Sequence, residues 1–240
     1  MKSCFNIWFN TPYYHILYNN RNIHEAEFFL TNLLDKINIK KNCRFLDVAC
    51  GKGRHAVFIN KQGYHVEGID LSKESINYAK KFSNDKLKFT IHDMRLPYKP
   101  NEFDVLINLF TSFGYFDNKT DNLKAIQAMS KNVKYGGKFI LDFMNTKKVI
   151  SELVLSEEKT VENIDFQIRR SIQNGYIVKD IRFKDKKLYH FQEKVQALTL
   201  TDFKEIFKKS GLKIMNLWGD YFLNDFNAIN SPRLIILAQK

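Results

Sequence analysis

The stretch from Arg44 to Asp70 constrains the fold more than any other part of the chain, because a strand, a glycine turn, a helix, a second strand and an acid follow one another there. The apolar residues around Leu46 predict a buried parallel strand. Gly51 and Gly53 come next, and glycine lets the backbone turn sharply and approach a ligand closely. The second strand ends at Asp70, and ligands bind at the carboxyl ends of strands in open α/β sheets. The stretch therefore predicts a nucleoside-cofactor site in which Asp70 accepts both hydroxyl protons of a ribose.

Spacing alone leaves two classes of cofactor open. Gly51, Gly53 and Ala56 fit G-x-G-x-x-[GA], the dinucleotide fingerprint, and Asp70 lies near the expected offset of about 20 residues. Asp47, just before the turn, argues against a dinucleotide, because a carboxylate there repels a pyrophosphate and attracts an ammonium. S-adenosylmethionine carries a ribose, an α-ammonium and a sulfonium but no phosphate, so its charges suit this position.

Two strings carry a family resemblance. The string D-V-A-C-G-K-G, residues 47–53, resembles motif I of class I S-adenosylmethionine-dependent methyltransferases, and G-I-D-L-S, residues 68–72, resembles their second motif. Ala49 stands where the family often has glycine, and this departure leaves the turn feasible. The resemblance covers nearly the whole chain and is strongest to bacterial small-molecule methyltransferases. It implies an α/β fold, with a Rossmann-like, seven-stranded, mostly parallel sheet whose last strand is antiparallel.

The resemblance also implies which residues bind S-adenosylmethionine. An acid after the third strand reaches the adenine amino group in this family, which gives Asp93 that role and places Met94 beside the ring. The residues that end the fourth strand back the cofactor and open toward the methyl acceptor. The complete expected cofactor set is Asp47, Ala49, Gly51, Gly53, Arg54, Asp70, Leu71, Asp93, Met94, Asn108, Leu109 and Phe110.

Aromatic residues concentrate in residues 1–21, the segment that precedes the motif. They are Phe5, Trp8, Phe9, Tyr13, Tyr14 and Tyr18. Two interpretations are open: packing into the core, or a lid over cofactor and acceptor of the kind that such methyltransferases often carry. Because a sulfonium is already a good leaving group, catalysis is mostly proximity and orientation, and a hydroxyl acceptor needs a base in addition. The candidate catalytic residues are Tyr14, Tyr18 and Tyr115.

The second half of the chain changes pattern. Alternating apolar residues over 165–173, 176–184 and 187–198 predict an antiparallel three-stranded meander. Thr201 or Asp202 is expected to cap the helix that follows, and two strands end the chain. We therefore predict a single domain of 240 residues, made of an N-terminal lid and helix (1–40), a cofactor-binding core (41–144), a β-meander insert (145–198), and a C-terminal helix and β-hairpin (199–240).

The net charge of +12 raises the question of a nucleic-acid partner. Most of the 38 basic residues are lysines, and they are scattered along the chain, which favours a solvated basic surface over a polyanion site. A small-molecule acceptor with a nitrogen or oxygen nucleophile is therefore preferred, and an RNA methyltransferase is the alternative. An NAD-type oxidoreductase and a non-catalytic cofactor-binding module on the same fold also stay open.

Other features limit where the chain works and what it binds. No apolar run reaches the ~18 residues of a membrane span, and the first residues lack the pattern of a secretory signal. The three cysteines include no C-x-x-C pair, which argues against a disulfide framework and indicates a reducing, cytoplasmic compartment. We expect no metal ion, no membrane contact, and either a monomer or a homodimer.

Overall fold

The computed structural model describes residues 8–18 and 23–240 and places two β-sheets and seven α-helices among them. The strands are β1 Arg44–Val48, β2 His65–Asp70, β3 Leu87–Ile91, β4 Phe103–Asn108, β5 Val133–Met144, β6 Ser156–Val161, β7 Ile164–Gln173, β8 Tyr176–Lys184, β9 Leu188–Gln196, β10 Lys213–Trp218 and β11 Arg233–Gln239. The helices are α1 Pro12–Leu17, α2 Ile23–Ile37, α3 Arg54–Lys61, α4 Lys73–Ala79, α5 Lys119–Asn132, α6 Thr146–Ser151 and α7 Leu200–Lys209. A short 3₁₀ turn, Lys80–Phe82, extends α4.

The central sheet has the strand order β10-β11-β5-β4-β1-β2-β3. Strand β11 runs antiparallel to both of its neighbours, whereas β1 to β5 pair in parallel. The strand order reverses between β1 and β4, and this switch point is where open α/β sheets bind ligands. The predicted Rossmann-like fold with an antiparallel last strand is thus confirmed.

Helices cover both faces of the central sheet, so β1 is buried on both sides. Leu46 and Val48 belong to the core that includes Phe203 of α7, and Phe45 belongs to the opposite core, with Ile59 of α3. Successive side chains of a strand point to opposite faces, and strands covered on both faces are apolar nearly throughout. Arg44 begins the strand and is partly exposed, whereas Asp47 is a charged residue that is buried within it.

The second sheet has four strands in the order β6-β7-β8-β9, one more than the predicted meander. The prediction missed β6 because its sequence, S-E-E-K-T-V, is polar and has no apolar alternation; none of its side chains is fully buried. The turn between β7 and β8 agrees with the hairpin signal: Asn174 and Gly175 have φ of 50° and 79°, as a two-residue turn of this kind requires.

Residues 8–18, which we call the N-terminal arm, pack on the second sheet. Trp8 and Leu17 are buried in a cluster with residues of β7 and β8. The strand residues of that cluster are Phe166, Ile168, Ile181 and Phe183. Full burial of one large apolar side chain stabilises by about 1.5–3 kcal/mol, so the arm contributes to the stability of this sheet. Phe5 and Cys4 lie outside the described residues.

Helix α7 begins earlier than predicted. Its N-cap is Thr199, not Thr201 or Asp202. The Thr199 hydroxyl accepts the backbone N–H of Asp202, and the Asp202 carboxylate accepts the backbone N–H of Thr199. In such a capping box the acid occupies the third helical position, which is why Asp202 is not itself the cap.

Candidate active site

The turn after β1 is built from left-handed residues. Ala49, Gly51 and Gly53 have φ of 58°, 56° and 84°. A Cβ on Gly53 would lie 2.7 Å from the ring of Phe89, so that position has no room for a side chain. A Cβ on Gly51 would meet no atom within 4 Å, so space lies open beside the turn. Ala49 adopts a conformation that costs a non-glycine residue about 1–2 kcal/mol.

Asp47 lies beneath this turn and is only 1% exposed. Its carboxylate accepts the backbone N–H of Ala56, yet its Oδ2 has no hydrogen-bond partner among the described residues. Burial, reinforced by the charge of Asp70, raises the pKa of Asp47 to about 8, and the positive charge of Arg54 acts in the opposite direction. A buried carboxylate with an unused oxygen is costly unless a cation pairs with it. The site therefore fits a ligand that carries an ammonium group.

Asp70 ends β2 and braces the same turn. One oxygen accepts the backbone N–H of Gly51 at 2.8 Å, and the other accepts that of Ser72 at 2.7 Å. Burial raises the pKa of this carboxyl group as well. Each carboxylate oxygen has a second lone pair, so Asp70 keeps the capacity to accept two ribose hydroxyls.

Helix α3 starts at Arg54, which lies against aromatic groups. The guanidinium carbon is 4.4 Å from the centroid of the Phe110 ring, and Nε donates to Nε2 of His55 at 3.0 Å. His55 stacks on the same ring, with centroids 5.1 Å apart and planes at 18°. His55 was not among the residues predicted to bind the cofactor. Its position directly after Arg54, at the start of α3, is the sequence feature that could have pointed to it.

The carboxyl end of β4 contains the next three predicted residues. Asn108 and Leu109 are buried, and Asn108 Nδ2 donates to the carbonyl of Val48 at 2.9 Å, which ties β4 to β1. Asn108 Oδ1 is a second buried atom with no partner among the described residues. Phe110 and Thr111 both have left-handed φ values, 56° and 57°. Strained backbone of this kind clusters at functional sites.

The residues predicted for the adenine end occupy the ends of β2 and β3. Leu71 is 43% exposed, and Met94 packs partly against the core. The Asp93 carboxylate pairs with Arg95 at 2.6 Å. Although burial acts in the opposite direction, the hydrogen bonds from Arg95 hold the pKa of Asp93 below its usual range. An adenine amino group would therefore share this carboxylate with Arg95.

A series of ring contacts links the three candidate catalytic tyrosines: Tyr14 contacts Tyr18 directly and is joined to Tyr115 through Phe9. Tyr14 and Tyr115 both contact Phe9, with ring centroids 4.8 and 5.6 Å apart. Tyr18 lies 5.0 Å from Tyr14, but its hydroxyl hydrogen bonds to Glu193 of β9. The arm thus spans from the loop after β4 to the second sheet.

The same arm reaches the cofactor side. Asn10 Oδ1 accepts a hydrogen bond from the hydroxyl of Ser72, and Ser72 is the residue whose N–H binds Asp70. The second sheet also contacts the loop after β4: Tyr176 donates to the carbonyl of Asp117 at 2.9 Å, and Gln196 donates to that of Phe116 at 2.9 Å. The arm contacts the loop after β4 through Phe9 and Tyr115, and the second sheet contacts it through Tyr176 and Gln196.

No helix within residues 8–18 and 23–240 is long and apolar enough to cross a membrane. The same ranges contain no group of three or more side chains able to hold a metal ion.

Comparisons with known proteins agree with this geometry. The family model of a methyltransferase domain matches residues 39–211. A putative methyltransferase of Bacillus subtilis, YqeM, is 24% identical over 208 residues, covering 82% of this chain and 84% of the relative. A Streptomyces venezuelae enzyme, dTDP-3-amino-3,4,6-trideoxy-alpha-D-glucopyranose N,N-dimethyltransferase, is 25% identical over 189 residues, covering 72% and 77%. A crystal structure of an S-adenosylmethionine-dependent methyltransferase from Clostridium acetobutylicum superposes with a TM-score of 0.78 at 18% identity, covering 95% of each chain, which shows a shared fold.

Proposed function

The chain belongs to the S-adenosylmethionine-dependent methyltransferase family, and from this premise we propose that it transfers the methyl group to a nitrogen or oxygen atom of a small molecule. The cofactor of the family is S-adenosylmethionine. Nitrogen is the preferred acceptor atom, because the similar Streptomyces venezuelae enzyme is an N,N-dimethyltransferase of an amino sugar.

The observation that carries the proposal is a pair of opposite charges at the glycine turn. Asp47 has a buried carboxylate oxygen without a partner, and Arg54 is near enough for its charge to act on Asp47. The amino-acid end of S-adenosylmethionine is a zwitterion, so Asp47 suits its ammonium and Arg54 suits its carboxylate. A dinucleotide would instead place a pyrophosphate beside the Asp47 carboxylate.

This chain's residues would act by binding and orientation. S-adenosylmethionine, when bound, supplies an electrophilic methyl group on a sulfonium leaving group. Asp70 would hold the ribose, Asp47 and Arg54 the amino-acid end, and the residues at the end of β4 the side that opens toward the acceptor. Tyr14 and Tyr115 each contact the ring of Phe9. They would orient the acceptor or accept its proton.

Aromatic contacts around the loop after β4 support a small acceptor. The arm and the second sheet both contact this loop, with Phe9 against Tyr115 and Tyr176 bound to the carbonyl of Asp117. By the family resemblance this loop opens toward the acceptor, and aromatic side chains there suit a small molecule. The RNA alternative rests on the net charge of +12 alone.

Calorimetry tests the cofactor site. S-adenosylmethionine and S-adenosylhomocysteine are expected to bind, and NAD is expected not to bind. Asp47→Asn should weaken the binding of S-adenosylhomocysteine, because the ammonium group of the ligand loses its counter-charge. Tight NAD binding without a response to S-adenosylhomocysteine would contradict the proposal.

A second experiment tests the acceptor class. Transfer of labelled methyl groups is measured with a panel of small amines and hydroxyl compounds, in parallel with total RNA. Filter binding should show that RNA binds non-specifically, with a Kd around 10⁻⁴–10⁻⁶ M, and that binding is lost as the salt concentration rises. Methylation of RNA, or selective RNA binding that survives moderate salt, would replace the small-molecule proposal with the RNA alternative.

A further inference from the structure

Arg54 belongs to a unit of three side chains that fixes its orientation. Its guanidinium lies over the ring of Phe110 at 4.4 Å, and its Nε donates to His55. His55 in turn stacks on Phe110. A flexible arginine loses rotamer entropy when it binds a partner, so holding its side chain in place beforehand favours binding.

The position of Phe110 depends on an uncommon backbone conformation. Phe110 and the following Thr111 are consecutive left-handed residues, and neither is glycine. The left-handed conformation is strained for a residue with a side chain, and it persists where the surrounding structure enforces it.

The enforcing group is Asp142 of β5, which is not exposed to solvent. Asp142 Oδ2 accepts the backbone N–H of Phe110 at 2.7 Å, and the Asp142 carbonyl accepts that of Thr111 at 3.0 Å. Asp142 therefore receives both N–H groups of the left-handed turn.

Arg233, the first residue of β11, completes the arrangement. Its Nε donates to Asp142 Oδ1 at 2.8 Å, and its Nη2 donates to the hydroxyl of Thr111 at 3.0 Å. The ion pair thus contacts the turn at the side chain as well as the backbone. A buried ion pair is weak support for stability by itself, because desolvation offsets the attraction, so its arrangement around a strained turn needs another explanation.

We propose that Asp142 and Arg233 are positioning residues that act through Phe110 and His55 to hold Arg54 at the α-carboxylate of S-adenosylmethionine. The inference rests on the proposed assignment of Arg54 to that carboxylate. It adds a specific consequence: these residues control affinity for the amino-acid end of the cofactor and leave affinity for the adenosine end unchanged.

Two ligands separate the ends of the cofactor. S-adenosylhomocysteine carries adenosine and the amino-acid end, whereas 5′-methylthioadenosine has the adenosine and a thioether but no amino-acid end. Phe110→Leu removes the ring face under Arg54 and keeps an apolar side chain. We expect it to raise the Kd of S-adenosylhomocysteine about tenfold and to change that of 5′-methylthioadenosine less than about twofold.

Tyr135→Leu is the matched control for this change. Lys240 Nζ lies 5.0 Å from the centroid of the Tyr135 ring, at the opposite end of β5 from Asp142, so the substitution removes a comparable pair without reaching Arg54. It should leave the affinity for both ligands unchanged. Thr111→Val removes only the side-chain acceptor of Arg233 and should give a smaller loss with the same ligand selectivity. It also replaces Phe110→Leu if that variant does not fold.

A double-mutant cycle gives the decisive measurement. Arg54→Ala should weaken binding of S-adenosylhomocysteine and leave binding of 5′-methylthioadenosine unchanged. Adding Phe110→Leu to it should cause little further loss of affinity, because both substitutions remove the same interaction. Equal weakening of both ligands in a folded variant, or additive effects in the cycle, would overturn the inference while leaving the proposed function standing. If the unmodified protein binds neither ligand, the proposed function itself fails.

Discussion

The hydroxyl of Tyr18 lies within hydrogen-bond distance of both carboxylate oxygens of Glu193, at 2.6 and 2.8 Å. Trp8 Nε1 donates to the same carboxylate at 2.7 Å, and Lys179 donates to the Tyr18 hydroxyl. Glu193 thus binds residues near both ends of the described N-terminal arm. The arm is therefore fastened to the second sheet, and Asn10 joins it to Ser72, just after the end of β2 in the central sheet.

Tyr18→Phe should loosen the arm. The hydroxyl links Lys179 to a partly buried carboxylate, so its removal should cost about 1 kcal/mol and should speed hydrogen exchange in α1. Tyr13→Phe is the matched control, because the Tyr13 hydroxyl binds Asp185 at an exposed position and its loss should change exchange little. Equal exchange rates in the two variants would show that Glu193 does not hold the arm.

Asp70→Ala should weaken binding of S-adenosylhomocysteine and 5′-methylthioadenosine alike, by about 1.5–3 kcal/mol, because the ribose is common to both ligands. Asp70→Asn keeps one acceptor oxygen and should lose less. Titration calorimetry measures both variants, with a cooperative unfolding transition as the check that the fold is intact. A folded alanine variant with unchanged affinity would show that Asp70 is not the ribose acid.

Asp47 should make the ligand-free protein less stable as pH rises. Burial raises the pKa of Asp47 to about 8. An unfolded aspartate titrates near 3.9, so between about pH 4 and pH 8 the folded state holds more protons, and the contribution of this group to stability is lost across that window. Asp47→Asn removes this pH dependence. We therefore compare the free energy of unfolding of the Asp47→Asn variant with that of the unmodified protein. The difference, variant minus unmodified, should increase between about pH 5 and about pH 8 by an amount on the order of a few kcal/mol.

Denaturant titrations at the two pH values check this expectation, with no cofactor present. Parallel pH profiles for the two proteins would mean that Asp47 titrates in its ordinary range.

Ala49→Gly should stabilise the protein by up to about 1 kcal/mol. Ala49 has a left-handed φ of 58°, which glycine adopts without the steric cost, although glycine loses more entropy on folding. Ala56→Gly is the control, because Ala56 lies inside α3, where glycine costs roughly 1 kcal/mol. Thermal unfolding of the two variants should shift in opposite directions. A clear loss of stability in Ala49→Gly would mean that the alanine methyl group contributes more than its strained backbone costs.

Several expectations failed or were incomplete where local pattern does not decide the structure. Strand β6 was missed because it pairs with β7 at an exposed position, where burial imposes no alternation. Thr199 was missed as the cap of α7 because Thr201 and Asp202 are also residue types that cap helices. Only the backbone geometry shows that the helix begins after Thr199. The roles assigned to the individual cofactor residues, and to Tyr14, Tyr18 and Tyr115, stay predictions.

The sequence by itself determined the fold class, because an apolar strand, spaced glycines and a strand-end acid are local features whose order specifies one arrangement. Asp47 and the resemblance of the two motifs to a family decided the class of cofactor. Only the tertiary structure decided what surrounds Arg54. Asp142 interrupts the apolar sequence of β5, but its partner Arg233 is 91 positions away. The two meet because β11 pairs antiparallel with β5 in one particular register, with Arg233 opposite Met144 and Ile235 opposite Asp142. Register is set by the packing of the whole sheet and not by the pattern of either strand alone.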